Sequence, residues 1–224
     1  MKRDIVTSLI GIIVFTILLG LVYPLAITGI SQVAFPGNAN GQQIKVNGTL
    51  VGSKIIGQSF GKPVLENGKP KEVKGVIVTE PDPRYFQSRP SATEGGAYNA
   101  SASTFSNHGP NSTRTKEADE ENIKSYLELN TAPGKQEYDP GLTAAKIPVD
   151  AVNSSGSNLD PEISQANAWI QAHRVAAVRN LSLAEVNTLI GKYTSGRGLG
   201  FSGEPGVNVL ELNLALDRLA KGNG

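Results

Sequence analysis

From Ile5 to Ile30 the chain runs 26 residues without a charged side chain. At ~1.5 Å of rise per residue, such a run can cross the ~30 Å hydrocarbon layer of a bilayer as a helix. Lys2 and Arg3 precede it, and the next basic residue is Lys45. Basic residues stay on the cytoplasmic side of a membrane helix. The expected topology is therefore residues 1–4 in the cytoplasm, a transmembrane helix over 5–30, and a single extracytoplasmic domain over 31–224. A cleaved signal peptide has an apolar region of only about 7–15 residues and a small-x-small cleavage site. The best local site, around Gln32-Val33-Ala34, is spoiled by the large polar Gln32, which favours a retained single-pass anchor. Pro24 lacks a backbone donor and is expected to kink or end the helix after Tyr23. Thr7 with Gly11, and Thr16 with Gly20, are small-xxx-small pairs that let a partner helix approach closely.

The remaining sequence is balanced in charge. Beyond the apolar run there are 19 basic and 19 acidic residues, so no long-range field draws nucleic acid to the domain. The chain has no cysteine and two histidines. Disulfides are thereby excluded, and a zinc site with three or four His or Cys ligands has too few candidates.

Residues 31–155 are rich in Gly, Ser, Asn and Pro, with short strand-like pieces. Ile44–Val46 and Thr49–Val51 flank Asn47-Gly48, a type I′ hairpin signal. Val73–Thr79 reads as a further strand. From Asp82 to Thr113 the chain is turn-rich, yet Tyr85, Phe86, Tyr98 and Phe105 argue for an ordered, packed loop. Residues 115–130 form a charged helix with a thin apolar face of Ile123, Tyr126 and Leu127. Further on, Asp160 is placed to cap a helix that starts at Pro161, with Glu162 in its first turn. That helix is expected to reach about Asn180 and to bury Ile163, Ala166, Trp169, Ile170 and Val178. Ser182 and Glu185 form a capping box opening a helix through Ile190. After the glycines of 196–206, Val207–Ala220 forms a last helix with Leu212, Leu216 and Leu219 on one face. The fold class is α+β: one N-terminal transmembrane helix and one extracytoplasmic α+β domain.

Gly57-Gln58-Ser59-Phe60-Gly61 matches G-x-S-x-G, and the order Ser59, Asp150, His173 is allowed for an anchored hydrolase. That chemistry needs a strand before the serine and a helix after it. Lys62-Pro63 and Asn67-Gly68 read as turns instead. Gly198-x-Gly200-x-x-Gly203 matches a dinucleotide fingerprint but lacks the preceding strand and a following acidic strand; it reads as a tight connection between helices. Arg174 and Arg179 lie five residues apart and do not share a helix face, whereas Gln171 and Arg174 do. Their roles are an exposed polar edge, internal ion pairs, or contact with a partner or nucleotide. His108 reads as a turn residue.

An ordered set of segments resembles the KdpC family of the bacterial Kdp potassium-transporting ATPases. It begins with Tyr23-Pro24-Leu25 and Thr28-Gly29, then Gly52-Ser53 and Ile56-Gly57-Gln58 with Phe60. It continues through Tyr85-Phe86, Ser88–Ala92, Tyr98-Asn99, Ser106-Asn107 and Gly109–Asn111. Pro148, Asp150, Leu159–Pro161, Ile163-Ser164, Gln171, Arg174–Ala176 and Arg179 follow. Gly203-Glu204, Val207–Leu210, Leu212-Asn213 and Leu216-Asp217 complete it. The resemblance implies an accessory subunit, without a catalytic site of its own, in the bacterial cell membrane. Its implied partners are a channel-like potassium-binding subunit, a P-type ATPase subunit and a small hydrophobic subunit. ATP hydrolysis drives potassium uptake in such complexes, and this family is described as a catalytic chaperone that raises the ATP affinity of the ATPase subunit. ATP then enters through that subunit, with no cofactor of this chain's own; a direct nucleotide contact would fall on Gln171 and Arg174. The expected topology opposes such a contact, because ATP is cytoplasmic and the domain is not.

Overall fold

The computed structural model describes residues 2–73, 76–93, 98–103, 107–109, 111–131 and 138–222. The chain divides into two compact units, Met1–Ser53 and Lys54–Gly224.

The first unit begins with helix α1, Lys2–Ala34, of 33 residues. None of its residues is buried, and Ile5, Leu9, Phe15, Leu19 and Leu25 are each more than half exposed. An apolar surface on every side is what a membrane span presents to lipid. Of the two outcomes expected at Pro24, a kink or an end, the end is excluded: the helix continues past Tyr23 to Ala34. Leu18–Val22 widen into a π-helical turn in which the Tyr23 N–H donates to the Leu18 carbonyl. The α-helical path restarts at Tyr23, and Pro24 falls at its opening, where no N–H is required. A hairpin follows, Gln43–Val46 against Thr49–Ser53. Asn47 at φ 51° and Gly48 at φ 82° make the turn, as the Asn-Gly dipeptide predicts.

The second unit opens with short antiparallel pairs. Gly61–Pro63 pairs with Thr79–Pro81, Leu65–Glu66 with Lys69–Pro70, and Glu72–Val73 with Val76–Ile77. The single strand expected over Val73–Thr79 is thus divided: Val73 pairs with Val76 across a reversal, and residues 74–75 lie outside the described residues. The charged helix α2 spans Thr113–Thr131, with Ile123, Tyr126 and Leu127 half-buried as expected.

The core lies in the C-terminal third. Helix α3, Gln165–Arg179, helix α4, Leu183–Lys192, and helix α5, Val209–Gly222, accompany a three-stranded antiparallel sheet. Gly206–Asn208 is its central strand, between Thr194–Ser195 and Glu162–Ile163. Ile163, Ala168, Ala172, Val175, Val186, Ile190, Val207, Val209, Leu212 and Leu216 form one cluster that also takes in Phe86. Burying this apolar surface is the main driving force for the unit.

Three helix expectations need correction. Helix α3 starts four residues later than predicted, because Asp160 binds Arg89 and the Glu162 N–H instead of capping. Ser164 takes the cap and accepts from the Asn167 N–H. The helix also turns the other way: Ala166 and Trp169 are exposed, while Asn167, Gln171 and Arg174 are buried. Helix α5 starts at Val209, after Asn208 caps the Glu211 N–H, and Leu219 stays 36% exposed while Leu212 and Leu216 are sealed. The capping box of Ser182 and Glu185 is present with both reciprocal bonds.

Candidate functional site

The inward polar face of α3 organises the domain. Asn167, Gln171 and Arg174 recur at the i, i+4, i+7 spacing that ordinarily carries an apolar stripe. Ala168, Ala172 and Val175 each follow one of them and are fully buried. Small neighbours let other chain segments come close enough for long polar side chains to reach their backbone.

The segment reached is the loop containing Tyr85-Phe86-Gln87. Asn213 on α5 accepts from the Phe86 N–H at 2.9 Å and donates to the Phe86 carbonyl at 2.9 Å. Gln171 accepts from the Gln87 N–H at 2.7 Å and donates to the Gln87 carbonyl at 3.0 Å. Two side-chain amides thus pair the N–H and C=O of two consecutive residues, each as one residue of a neighbouring strand would. Burial of Phe86 becomes tolerable because its own N–H and C=O are both paired. The amide of Gln87 turns back to the carbonyls of Phe60, Asp82 and Tyr85. Tyr85 and Phe86, and likewise Tyr98, belong to an ordered loop, as the sequence predicts; Phe105 lies outside the described residues.

Arg174 has no exposed surface. Its guanidinium donates to the carbonyls of Pro83 and Tyr85, to Asn130 Oδ1 on α2 and to Gln171 Oε1. These four acceptors are neutral. The expectation of an exposed edge or an ion pair at Arg174 is corrected: uncharged oxygens spread around the planar fork hold the cation. Burial pulls its pKa down to about 10, so it stays charged at neutral pH. Tyr126 on α2 completes the contact, its hydroxyl bonded to Asn167 Oδ1 at 2.8 Å and its pKa raised by burial.

Arg179 grips the same loop from outside. It donates to the Arg84 carbonyl at 2.6 Å, pairs with Asp217 at 2.9 Å, and lies 4.6 Å from the centre of the Tyr85 ring. Asp82 closes the loop's start onto Arg84, whose hydrogen bonds hold the Asp82 carboxyl below its usual range.

A second cluster fixes the next stretch. Arg89 pairs with Asp160 at 3.0 Å. Asn158 accepts from the Ala92 N–H and its carbonyl accepts from Ser91 Oγ. The Tyr98 hydroxyl donates to the Arg89 carbonyl at 2.6 Å, and burial raises its pKa to about 12. Gly57 sits where a Cβ would come within 2.4 Å of the Asp160 carbonyl oxygen and 2.5 Å of the Tyr98 ring. The first glycine of G-x-S-x-G is therefore explained by close packing.

The other sequence candidates are dispersed. Ser59 is exposed on a segment without regular structure, followed by the strand Gly61–Pro63 and not by the helix a nucleophile elbow requires. Asp150 is engaged by the Ser164 N–H, the Ser164 hydroxyl and the Asn167 amide, which makes it a support for the start of α3. His173 is half-buried on α3. Gln171 and Arg174 do come together, 2.9 Å apart, but both are enclosed by the 83–87 segment. A ligand reaching either must first displace that segment. The glycines at 198–203 lie between the strands Thr194–Ser195 and Gly206–Asn208, a tight connection as expected but built as a hairpin. His108 is exposed in a cleft of about 340 Å³ bordered by Ser91, Arg114, Asp119 and Ser154. On α1, open space surrounds the Cα positions of Gly11 and Gly20, which border a groove with Phe15 and Thr16. Thr7 returns its hydroxyl to the Arg3 carbonyl.

Sequence reasoning gave no site role to Asn130, Asn167, Gln87, Asn213 or Asp217, the last two standing only in the family-like segments. For Asn167 the signal was available in α3, where the polar stripe is interleaved with alanines.

The family model of the K+-transporting ATPase c chain, KdpC, matches residues 5–218. The chain is 46% identical to a potassium-transporting ATPase KdpC subunit of Methylococcus capsulatus, over 95% of this chain and 96% of the relative. It is 42% identical to that of Mycobacterium tuberculosis, over 98% of this chain and the whole relative. It is 40% identical to that of Streptomyces coelicolor, over 97% of this chain and 93% of the relative.

Proposed function

The chain belongs to the KdpC family, the c chain of K+-transporting ATPases, and from that premise we propose that it is a non-catalytic accessory subunit of an ATP-driven potassium uptake complex. Helix α1 anchors it in the bacterial inner membrane and packs through Thr7, Gly11, Thr16 and Gly20 against a helix of another subunit. Residues 1–4 face the cytoplasm and 31–224 face outward, a topology supported by Lys2 and Arg3 before the apolar run. The partners in this reading are a channel-like potassium-binding subunit, a P-type ATPase subunit and a small hydrophobic subunit. The domain stabilises their assembly and supports the ATPase subunit, which binds the ATP.

One observation carries the reading. A 33-residue apolar helix with no buried residue is joined to a unit whose buried polar side chains are directed onto its own loop. That combination suits attachment and shape better than turnover. Deletion of the chain from a co-expressed complex is expected to abolish ATP-driven potassium uptake while the other subunits are still made. Uptake that persists at the same rate removes the proposal. A reporter fused after Gly224 checks the side: activity only in the cytoplasm reverses the topology. Saturable ATP binding by this chain, lost in Gln171→Ala, would replace ATPase support by direct nucleotide contact.

A further inference from the structure

The hairpin between Ser195 and Gly206 displays two apolar side chains to solvent. Leu199 is 91% exposed and Phe201 75% exposed. Such exposure is ordinary for a single residue on a floppy loop, but this turn is built. Gly198 and Ser202 exchange both backbone hydrogen bonds, at 2.7 and 2.8 Å. The Gly200 N–H closes onto the Arg197 carbonyl at 3.1 Å, and Arg197 is ion-paired with Glu204 across the hairpin. Ser195 opposite Gly206 ties the base into the three-stranded sheet.

Leu199 itself adopts φ 53°. That left-handed conformation is strained for a branched, bulky residue and is normally left to glycine or asparagine. Glycines stand on both sides of it, at 198 and 200, yet leucine occupies the strained position. Strain of this kind persists only where the surrounding structure enforces it, and it recurs at binding sites as well as in packed clusters such as that of Tyr98, at φ 62°. Here it holds an apolar side chain outward.

We infer that the Leu199–Phe201 tip is a docking knob that seats in an apolar pocket of another protein subunit of the same complex. The inference rests on the chain working as one subunit among several. An aromatic and an aliphatic anchor on a preorganised turn is the form that interface hot spots take, because little freedom is lost on binding. A bilayer is the weaker match. Interfacial binding draws on a broad apolar face with basic residues free to meet anionic headgroups. This tip offers two apolar side chains, and its basic residue, Arg197, is already paired with an acidic one.

The test replaces Phe201 by the photo-crosslinking residue p-benzoylphenylalanine in the full chain, co-expressed with the other subunits and purified as the complex. Irradiation is expected to give one dominant adduct with another subunit. In parallel, Leu199→Ser/Phe201→Ser is expected to raise the rate at which the chain leaves the detergent-solubilised complex at least tenfold. Its thermal unfolding should stay unchanged, since neither side chain is buried. An adduct with lipid alone, no adduct while the chain still co-purifies, or a double variant retained like wild type would each overturn the docking assignment and leave the subunit reading standing. A wild-type chain that fails to co-purify would remove both.

Discussion

Helices α1 and α3 both break the ordinary rule for a helix beside water, and in opposite senses. α1 is apolar on all sides and buries none of them within its own chain; α3 sinks a polar stripe and leaves Trp169 50% exposed. For α1 the partner in the proposed reading is a solvent: lipid would cover what water does not, and hydrogen bonds inside the helix satisfy its backbone. For α3 the partner is a loop roughly 90 residues earlier in the chain, whose unpaired peptide groups need donors and acceptors. An apolar surface can be satisfied by any apolar medium. A polar stripe is satisfied only by particular atoms at particular distances, which makes α3 the more specific and the more fragile of the two.

The sharpest way to break the contrast is at Arg174. Arg174→Ala leaves the Pro83 carbonyl and Asn130 Oδ1 buried without the guanidinium that donates to them, takes one of two donors from the Tyr85 carbonyl and from Gln171 Oε1, and should cost about 3–5 kcal/mol in stability. Thermal or denaturant unfolding of the full chain in detergent measures it. Arg174→Lys should recover only part of the loss, since an ammonium lacks the fork that reaches four acceptors. Full recovery would mean that charge alone matters.

Next in size is a charge placed in the middle of α1. Val14→Asp should disfavour membrane insertion by about 3 kcal/mol, read as the fraction of chain that resists alkaline extraction from membranes. Extraction unchanged from wild type would argue against a span.

A third pair reads the orientation of α3 directly. Gln171→Ala should cost about 2 kcal/mol, whereas Trp169→Ala should cost about 1 kcal/mol or less, because half of the ring already meets water. The reverse order would restore the conventional helix.

The smallest effect concerns pH. Asp82 is held below its ordinary value of 3.8 chiefly by the hydrogen bonds from Arg84. A depressed carboxylate contributes stability that is complete above that value and is lost as pH falls through the lower folded value. Arg84 is largely exposed, so the contribution is under about 1 kcal/mol. Acid titration of unfolding should show this decline in wild type and not in Asp82→Asn.

The same contrast explains which parts of the molecule could be read from sequence. Features fixed by neighbouring residues were legible: the apolar run of α1, the Asn47-Gly48 turn, the Ser182–Glu185 box and the charged α2. Asp160-Pro161 misled because a long-range partner, Arg89, claimed the carboxylate that local pattern assigned to a cap. The burial of Trp169 was misjudged for a related reason. Hydrophobicity orders a helix only while polar groups lack partners inside, and the partners here lie at Pro83, Tyr85 and Gln87. The i, i+3 pairing of Gln171 with Arg174 was visible; the rest of their network depends on tertiary contacts that spacing along one helix does not encode.

The amide pairing of Asn213 and Gln171 has a consequence for how the chain behaves before it meets other proteins. Extended backbone with vacant hydrogen-bonding groups is a template onto which a stray strand can add, and that is a common route to aggregation. At Phe86 and Gln87 every main-chain donor and acceptor is already taken by side chains of the same molecule. The stretch is aromatic and lies outside any sheet, and these two residues have nothing left to offer a foreign strand.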